Sequence, residues 1–171
     1  LFRLLVGLPP TFGPPIVVVL HLPEDHESRL PEIFAQRVAL QVEEARPGLP
    51  LSPGTLYFAP PGYHLLVEPQ RHFSLSCEPP VRFSRPAVDP LFESCAEVFG
   101  EALLAVVLTG ANDDGARGLR RVRECGGLAV VQDPAEAAHR DMPEAAIEFA
   151  HPQAVLGLAD LHALLLRLTS S

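Results

Sequence analysis

The chain has 171 residues, the length of one domain, and 47% of them are hydrophobic, which is enough for a substantial core. Its net charge is −8, and each of its 13 Lys or Arg residues is an arginine. This acidic balance excludes nucleic acid as the expected partner, because phosphate binding needs a basic face. No apolar run approaches the ~18 residues of a membrane span, so we expect no membrane insertion.

The first half of the chain contains both predicted helices and predicted strands. Residues 1–8 form an apolar, helix-like run that reads as the start of a trimmed chain. The β-branched run at 16–20 is typical of a strand buried on both faces. Helical spacing of apolar residues predicts a helix over 29–40, and 41–44 is a short strand candidate. Three further apolar runs, separated by turn residues, predict an antiparallel meander or hairpin at 56–59, 64–67 and 73–76.

The second half alternates regularly between buried strands and amphipathic helices. The patterns predict strands at 103–108 and 128–132, and helices at 89–99, 116–125, 143–149 and 160–168. Such alternation indicates an α/β fold. We expect a doubly wound, Rossmann-like and mainly parallel sheet flanked by helices, with a small antiparallel hairpin.

Two polar residues follow buried strands, at the sheet edge where ligands bind in open parallel sheets. His21 ends the strand at 16–20, and Asp114 lies in the glycine-rich loop after the strand at 103–108. Both should face the same edge if these strands are parallel. Imidazole exchanges protons readily near neutral pH, and a carboxylate can orient it, so the pair supplies two thirds of a hydrolytic triad. Amides of the loop bounded by Gly110 and Gly115 could bind an oxyanion.

The third member of a triad is absent from the sequence. No G-x-S-x-G motif occurs, and no serine stands in a convincing nucleophile context. A metal site is not expected, because the histidines lack ligand spacing and no C-x-x-C or H-E-x-x-H occurs. No other cofactor is expected either. The three dispersed cysteines suggest buried, reduced thiols in a cytosolic protein.

Several stretches, in order along the chain, resemble the CheB family of protein-glutamate methylesterases. Residues 108–119 read LTGANDDGARGL and resemble that family's L-T-G-x-x-x-D-G-A-x-G signature, in which the catalytic aspartate directly precedes glycine. Residues 19–23, VLHLP, resemble its catalytic-histidine strand end. Further matches fall at 53–60, 63–65, 84–89, 126–133 and 142–146.

The resemblance implies hydrolysis of glutamate γ-methyl esters on methyl-accepting chemotaxis receptors, with possible glutamine deamidation, in the cytoplasm. It assigns the catalytic base to His21, its orienting partner to Asp114, and an oxyanion-binding backbone amide to Ala111. It also implies that residues 1–171 form a single catalytic domain that lacks the family's first strand and G-x-S-x-G-G turn. The serine would then lie upstream, where many relatives also carry a receiver domain, and the chain alone would be inactive.

Besides the missing serine segment, one more departure and two alternatives accompany this interpretation. Many relatives have Met-Gly where this chain has Ala111-Asn112. If the gene truly lacks the serine, the chain is a catalytically silent binding or signalling module of the same fold. A serine hydrolase acting on another ester is the remaining alternative. The arginines of the predicted helix at 116–125 form either a solvated face or a dock for an acidic receptor.

Overall fold

A computed structural model describes residues 1–21 and 28–168. Its six helices and eight strands follow one another along the chain as α1 (Phe2–Leu5), β1 (Ile16–Val18), α2 (Leu30–Ala35), β2 (Gln41–Glu44), β3 (Thr55–Phe58), β4 (His64–Val67), β5 (Phe73–Ser76), α3 (Val88–Phe99), β6 (Leu104–Val107), α4 (Ala116–Glu124), β7 (Leu128–Gln132), α5 (Asp141–Ala150), β8 (Ala154–Leu156) and α6 (Leu158–Arg167). A single 3₁₀ turn, Gly100–Ala102, precedes β6. No helix of the described residues is both long and apolar enough to cross a bilayer.

Parallel pairing dominates the strands. One sheet has the order β1-β3-β2 and another the order β6-β7-β8, and every pair within them is parallel. Helices α2, α4 and α5 connect β1 to β2, β6 to β7 and β7 to β8, whereas the loop 45–54 joins β2 to its parallel neighbour β3 without a helix. The predicted α/β fold with a mainly parallel sheet and a small antiparallel hairpin is therefore confirmed.

The antiparallel part is smaller than the sequence pattern suggested. Only β4 and β5 pair antiparallel, whereas β3 lies at the centre of a parallel sheet, with Leu56 opposite both Ile16 and Val42. The meander prediction was therefore wrong for β3. All four β3 residues are buried, as expected for a strand covered on both faces. Length alone could not separate this run from its neighbours.

Two other elements differ clearly from the prediction, beyond shifts of a few residues at the ends of the remaining ones. Helix α2 ends at Ala35 rather than near residue 40, because the amides of Arg37 and Val38 both turn back to the carbonyl of Phe34. The chain must reverse here to enter β2 at Gln41. Strand β8 was not predicted, since three residues give too short a pattern to detect.

An apolar cleft of about 610 Å³ lies between the two parallel sheets. Residues 14–21, which contain β1, and residues 102–110, which contain β6, line this cleft. Within the described chain, β1 is hydrogen-bonded to β3 alone and β6 to β7 alone, so both present an unpaired edge to this cleft. His21 and Thr109 both line it, each just beyond the carboxyl end of its strand.

One hydrophobic cluster joins the two sheets despite the cleft. It combines buried Phe58 of the first sheet with Val130 of the second, and includes Leu5 and Leu161 from α1 and α6. A second cluster packs α3, α4 and α5 against β6 and β7, and a third packs β3, β4 and β5 against α3. The packing therefore fixes both sheets relative to the helices that carry the site.

Candidate active site

His21 and Asp114 meet at the carboxyl edge of the parallel sheets. His21 follows β1 and Asp114 lies in the loop between β6 and α4, so each comes from a different sheet. The Nε2 atom of His21 is 2.7 Å from Oδ2 of Asp114. The His21 side chain is 28% exposed, whereas that of Asp114 is fully buried. The arrangement gives an accessible imidazole fixed by a buried carboxylate.

The first turn of α3 holds the Asp114 carboxylate. The amide of Val88 donates to Oδ2 at 2.6 Å, and that of Asp89 donates to Oδ1 at 3.0 Å. These amides have no partner within their own helix, and the helix dipole favours a negative group at this end. Both oxygens are thus bonded by N–H donors, which suits an ionised carboxylate. Sequence reasoning did not foresee this role of α3.

Gly115 makes the turn that follows Asp114 possible. Its φ of 89° lies in the left-handed region, which favours glycine. A Cβ there would also lie only 2.9 Å from Cγ1 of Val88. Glycine therefore lets the loop pass close to α3, which brings Asp114 onto the α3 amides.

Asp89 is a second buried carboxylate beneath the site. It accepts a 2.7 Å hydrogen bond from the amide of Gly118, and its Oδ2 lies 3.8 Å from Nε of Arg117. The pKa of Asp89 is raised, chiefly by burial and further by the neighbouring Asp114 charge, against the lowering effects of the Gly118 amide and Arg117. Asp89 therefore ties α3 to α4, the two helices that enclose the Asp114 loop. The sequence signal was weak, since an aspartate in a first helical turn is common.

The loop after β6 is anchored by the last residue of β7 and by the segment before α5. The Thr109 amide donates to Oε1 of Gln132 at 2.9 Å, and the Thr109 hydroxyl donates to the His139 carbonyl at 3.1 Å. The Gly110 amide also donates to the His139 carbonyl, at 3.3 Å. Ala111 comes next and is exposed, and among the described residues its amide has no partner. The Ala111 amide is thus available as a donor in the loop that carries Asp114.

The nucleophile is not visible in the described chain. None of the serines that the structure describes is hydrogen-bonded to His21. Because Nε2 faces Asp114, Nδ1 is the nitrogen left for proton exchange. The motif residues Leu22 and Pro23 lie outside the described residues.

The arginines of α4 are engaged within the chain. Each has a partner: Arg117 with Glu93, Arg120 with Glu124, Arg121 with Glu97, and Arg123 with the carbonyls of Ala150 and His151. These bonds leave little unbalanced positive charge on the face, which disfavours it as a dock for an acidic receptor.

Thiols and metal ligands add no second centre. Cys95 is buried, and desolvation raises the pKa of its thiol to about 12. Cys77 is exposed, contrary to the expectation of buried thiols, because it lies in the loop that leaves β5. Over residues 1–21 and 28–168, no group of three His, Cys, Asp or Glu side chains could hold a metal ion.

Comparisons with known proteins show similarity to protein-glutamate methylesterases. The sequence model of the family described as CheB methylesterase matches residues 1–165. A protein of Leptospira interrogans named "Putative protein-glutamate methylesterase/protein-glutamine glutaminase" is 43% identical over 165 residues, which cover 96% of this chain and 86% of that protein. The Myxococcus xanthus "Protein-glutamate methylesterase FrzG" is 37% identical, over 94% of this chain and 48% of that protein.

A solved structure shows the same fold. The CheB methylesterase catalytic domain of Thermotoga maritima superposes with a TM-score of 0.91 at 31% sequence identity. The match covers 97% of this chain and 90% of that domain.

Proposed function

The chain belongs to the CheB methylesterase family, and from this premise we propose that His21 and Asp114 hydrolyse glutamate γ-methyl esters on methyl-accepting chemotaxis receptors. The resemblance found in the motifs is thereby confirmed at the level of the family. The observation that carries the proposed activity is the 2.7 Å contact between the accessible imidazole and the buried carboxylate. We propose that the reaction takes place in the cytoplasm, on the helical bundles of these receptors.

The proposed reaction is acyl transfer through a serine ester. A serine Oγ attacks the ester carbonyl while Nδ1 of His21 takes its proton. The tetrahedral oxyanion is bound by the free Ala111 amide, whose fixed position needs no reorganisation during the reaction. Collapse expels methanol, which receives the proton from His21. Water, deprotonated by His21, then hydrolyses the acyl-enzyme and releases glutamate and the free serine.

Asp114 serves this cycle by orienting the imidazole. Its contact with Nε2 selects the tautomer with the proton on Nε2, which leaves Nδ1 free as the base. Its negative charge stabilises the imidazolium that forms after proton transfer. The amides of α3 keep the carboxylate in place through both steps.

We place the serine on a strand that fills the cleft between β1 and β6. A strand there, parallel to both neighbours, would pair with their two unpaired edges and bury its side chains in an apolar channel. Its carboxyl end would lie beside His21 and Thr109, which line the cleft just beyond the carboxyl ends of β1 and β6. A sharp turn at that end would present a serine to Nδ1. This segment is proposed to precede Leu1.

Deamidation of glutamine follows from the same chemistry. An amide carbonyl accepts the same attack, and ammonia leaves in place of methanol. The printed name of the Leptospira relative includes "protein-glutamine glutaminase". We therefore propose glutamine side chains of the same receptors as a second substrate class.

The test is methanol release from a methyl-esterified receptor cytoplasmic fragment. The protein is expressed with the residues that its gene encodes immediately before Leu1, in parallel with residues 1–171 alone. We expect release by the longer protein only. If the longer protein released no methanol either, the result would favour the alternative of a catalytically silent module, in which His21 has no serine to activate. Release by residues 1–171 alone would show that the proposed source of the nucleophile is wrong.

A further inference from the structure

A two-residue hairpin at 81–84 projects from the loop between β5 and α3. Val81 and Ser84 exchange both backbone hydrogen bonds, at 3.0 and 2.9 Å. The two loop residues, Arg82 and Phe83, have φ values of 48° and 63°. This left-handed conformation is usual for Asn and Gly in such turns and is unfavourable for arginine and phenylalanine. The residue types are therefore not explained by the backbone.

Burial does not explain Phe83 either. Its relative exposure is 104%, the largest among the exposed apolar side chains of the described chain. A phenylalanine that buries so little of its surface among the described residues gains little hydrophobic stabilisation from them. Phe83 thus incurs backbone strain and solvent exposure together, and strained positions of this kind cluster at functional sites.

The hairpin is tied to the candidate active site. Arg82 makes a bidentate ion pair with Asp113, with Nη2–Oδ2 and Nε–Oδ1 distances of 2.7 and 2.5 Å. Asp113 directly precedes Asp114. Beyond the turn, the carbonyl of Arg85 accepts the amide of Gly62 at 3.1 Å. The hairpin is therefore held from both sides, so little conformational freedom would be lost when it binds.

A second exposed aromatic lies at the same place. Tyr63 is 43% exposed and directly follows Gly62, in the loop after β3. The loops that carry Tyr63 and Phe83 are therefore joined by the bond between Gly62 and Arg85. Tyrosine, phenylalanine and arginine are enriched in protein–protein interfaces, where rigid aromatic anchors dominate the binding energy.

We propose that the 81–84 hairpin is the substrate-docking tip, which inserts the Phe83 ring into an apolar depression of the receptor surface beside the reacting ester. This inference rests on the proposed function, because an ester on a protein side chain reaches His21 only if protein surface covers the rim of the site. Asp113 beside Arg82 and the net charge of −8 disfavour an anionic membrane as the partner.

The test compares two variants with one control. Phe83→Ala removes the ring, and Phe83→Asn removes it while suiting the left-handed backbone better, so that the fold is retained or stabilised. Phe149→Ala is the matched control, because Phe149 is 46% exposed near the end of α5, at the opposite edge of the sheet. The probe is an immobilised, methyl-esterified receptor cytoplasmic fragment, and the readout is the dissociation constant.

We expect both Phe83 variants to bind about tenfold more weakly or worse, and Phe149→Ala to bind within about twofold of the unaltered chain. Unchanged affinity of Phe83→Asn, or no association of the unaltered chain with the fragment, would overturn the proposal. Phe83-dependent binding to anionic lipid vesicles instead of the fragment would also overturn it.

A second readout separates this inference from the proposed function. In the longer, serine-containing protein, Phe83→Asn should lower kcat/KM on the receptor fragment but leave hydrolysis of p-nitrophenyl acetate unchanged. If the protein releases methanol and Phe83→Asn does not change the rate, the proposed enzymatic function is supported and the docking role of Phe83 is wrong. If binding to the fragment depends on Phe83 but the protein releases no methanol, the docking role of Phe83 is supported and the proposed enzymatic function is wrong.

Discussion

At the scale of single residues, the site is built around a carboxylate whose two oxygens are both committed. Asp114 bonds His21 through one oxygen, and the α3 amides donate to both. Among the described residues, Asp114 is the side chain that holds His21, whose own side chain is 28% exposed. The orientation of the imidazole therefore depends on the charge and position of Asp114.

Replacement of Asp114 by asparagine should abolish most of the activity without unfolding the protein. The amide has nearly the same shape, but its NH₂ group favours the wrong imidazole tautomer and gives no charge to the imidazolium. We expect kcat of the serine-containing protein to fall by roughly 10⁴, as in serine protease triads. Asp160→Asn, on the exposed start of α6, is the control. Near-normal turnover of Asp114→Asn would show that the assignment is wrong.

Asp89 should make stability depend on pH in a direction opposite to that of a paired surface carboxylate. Burial raises its pKa above 3.8, so the folded state favours its protonated form. Its contribution to stability is present below that value and is lost as pH rises through the raised pKa. Asp89→Asn lacks this dependence. Urea unfolding between pH 4 and 7 should therefore show the stability difference moving in favour of the variant as pH rises, and a flat or opposite trend would contradict the account.

At the scale of elements, patterns located most strands and helices, but tertiary packing decided their pairing. The run at 103–108 contains β6, and the rule that ligands bind at carboxyl strand ends placed His21 and Asp114 at one edge. The same rule does not reveal which helix binds Asp114, because α3 is distant in sequence. The residue pattern of β3 likewise did not predict that this strand pairs with β1 and β2.

The close approach of α3 to α4 should depend on Gly118. Alanine there would gain about 1 kcal/mol in helix propensity. Its Cβ, however, would lie 2.6 Å from Cβ of Phe92 and 2.9 Å from the Asp89 carbonyl, and such overpacking costs about 1–3 kcal/mol. The helices would also separate and weaken the bond from Gly118 to Asp89. We expect a net loss of about 1–2 kcal/mol in the free energy of unfolding by urea.

The control for Gly118→Ala is Gly13→Ala. A Cβ at Gly13 meets no atom within 4 Å, and the residue lies outside any helix. Its free energy of unfolding should stay within about 0.5 kcal/mol of the unaltered chain. Equal stability of both variants would show that the gap between α3 and α4 accommodates a side chain.

At the scale of the whole molecule, the edge strands β1 and β6 of the two parallel sheets lie on either side of an apolar cleft. A shared hydrophobic cluster connects the two sheets. The dyad bridges them, because His21 follows β1 of one sheet and Asp114 follows β6 of the other. A strand in the cleft would unite the sheets and deliver a group to Nδ1 at the same time. The sequence could not disclose this cleft, since it arises from the distance between segments far apart in the chain.

The most direct test of this account is labelling of the longer protein with a fluorophosphonate, which bonds covalently to an activated serine as fluoride leaves. Peptide mass spectrometry then locates the label. We expect one labelled serine, in the residues before Leu1, with labelling at least about a hundredfold slower in His21→Gln. A label on a serine within residues 1–171, or none at all in the longer protein, would contradict the proposal that a strand in the cleft brings the nucleophile to His21.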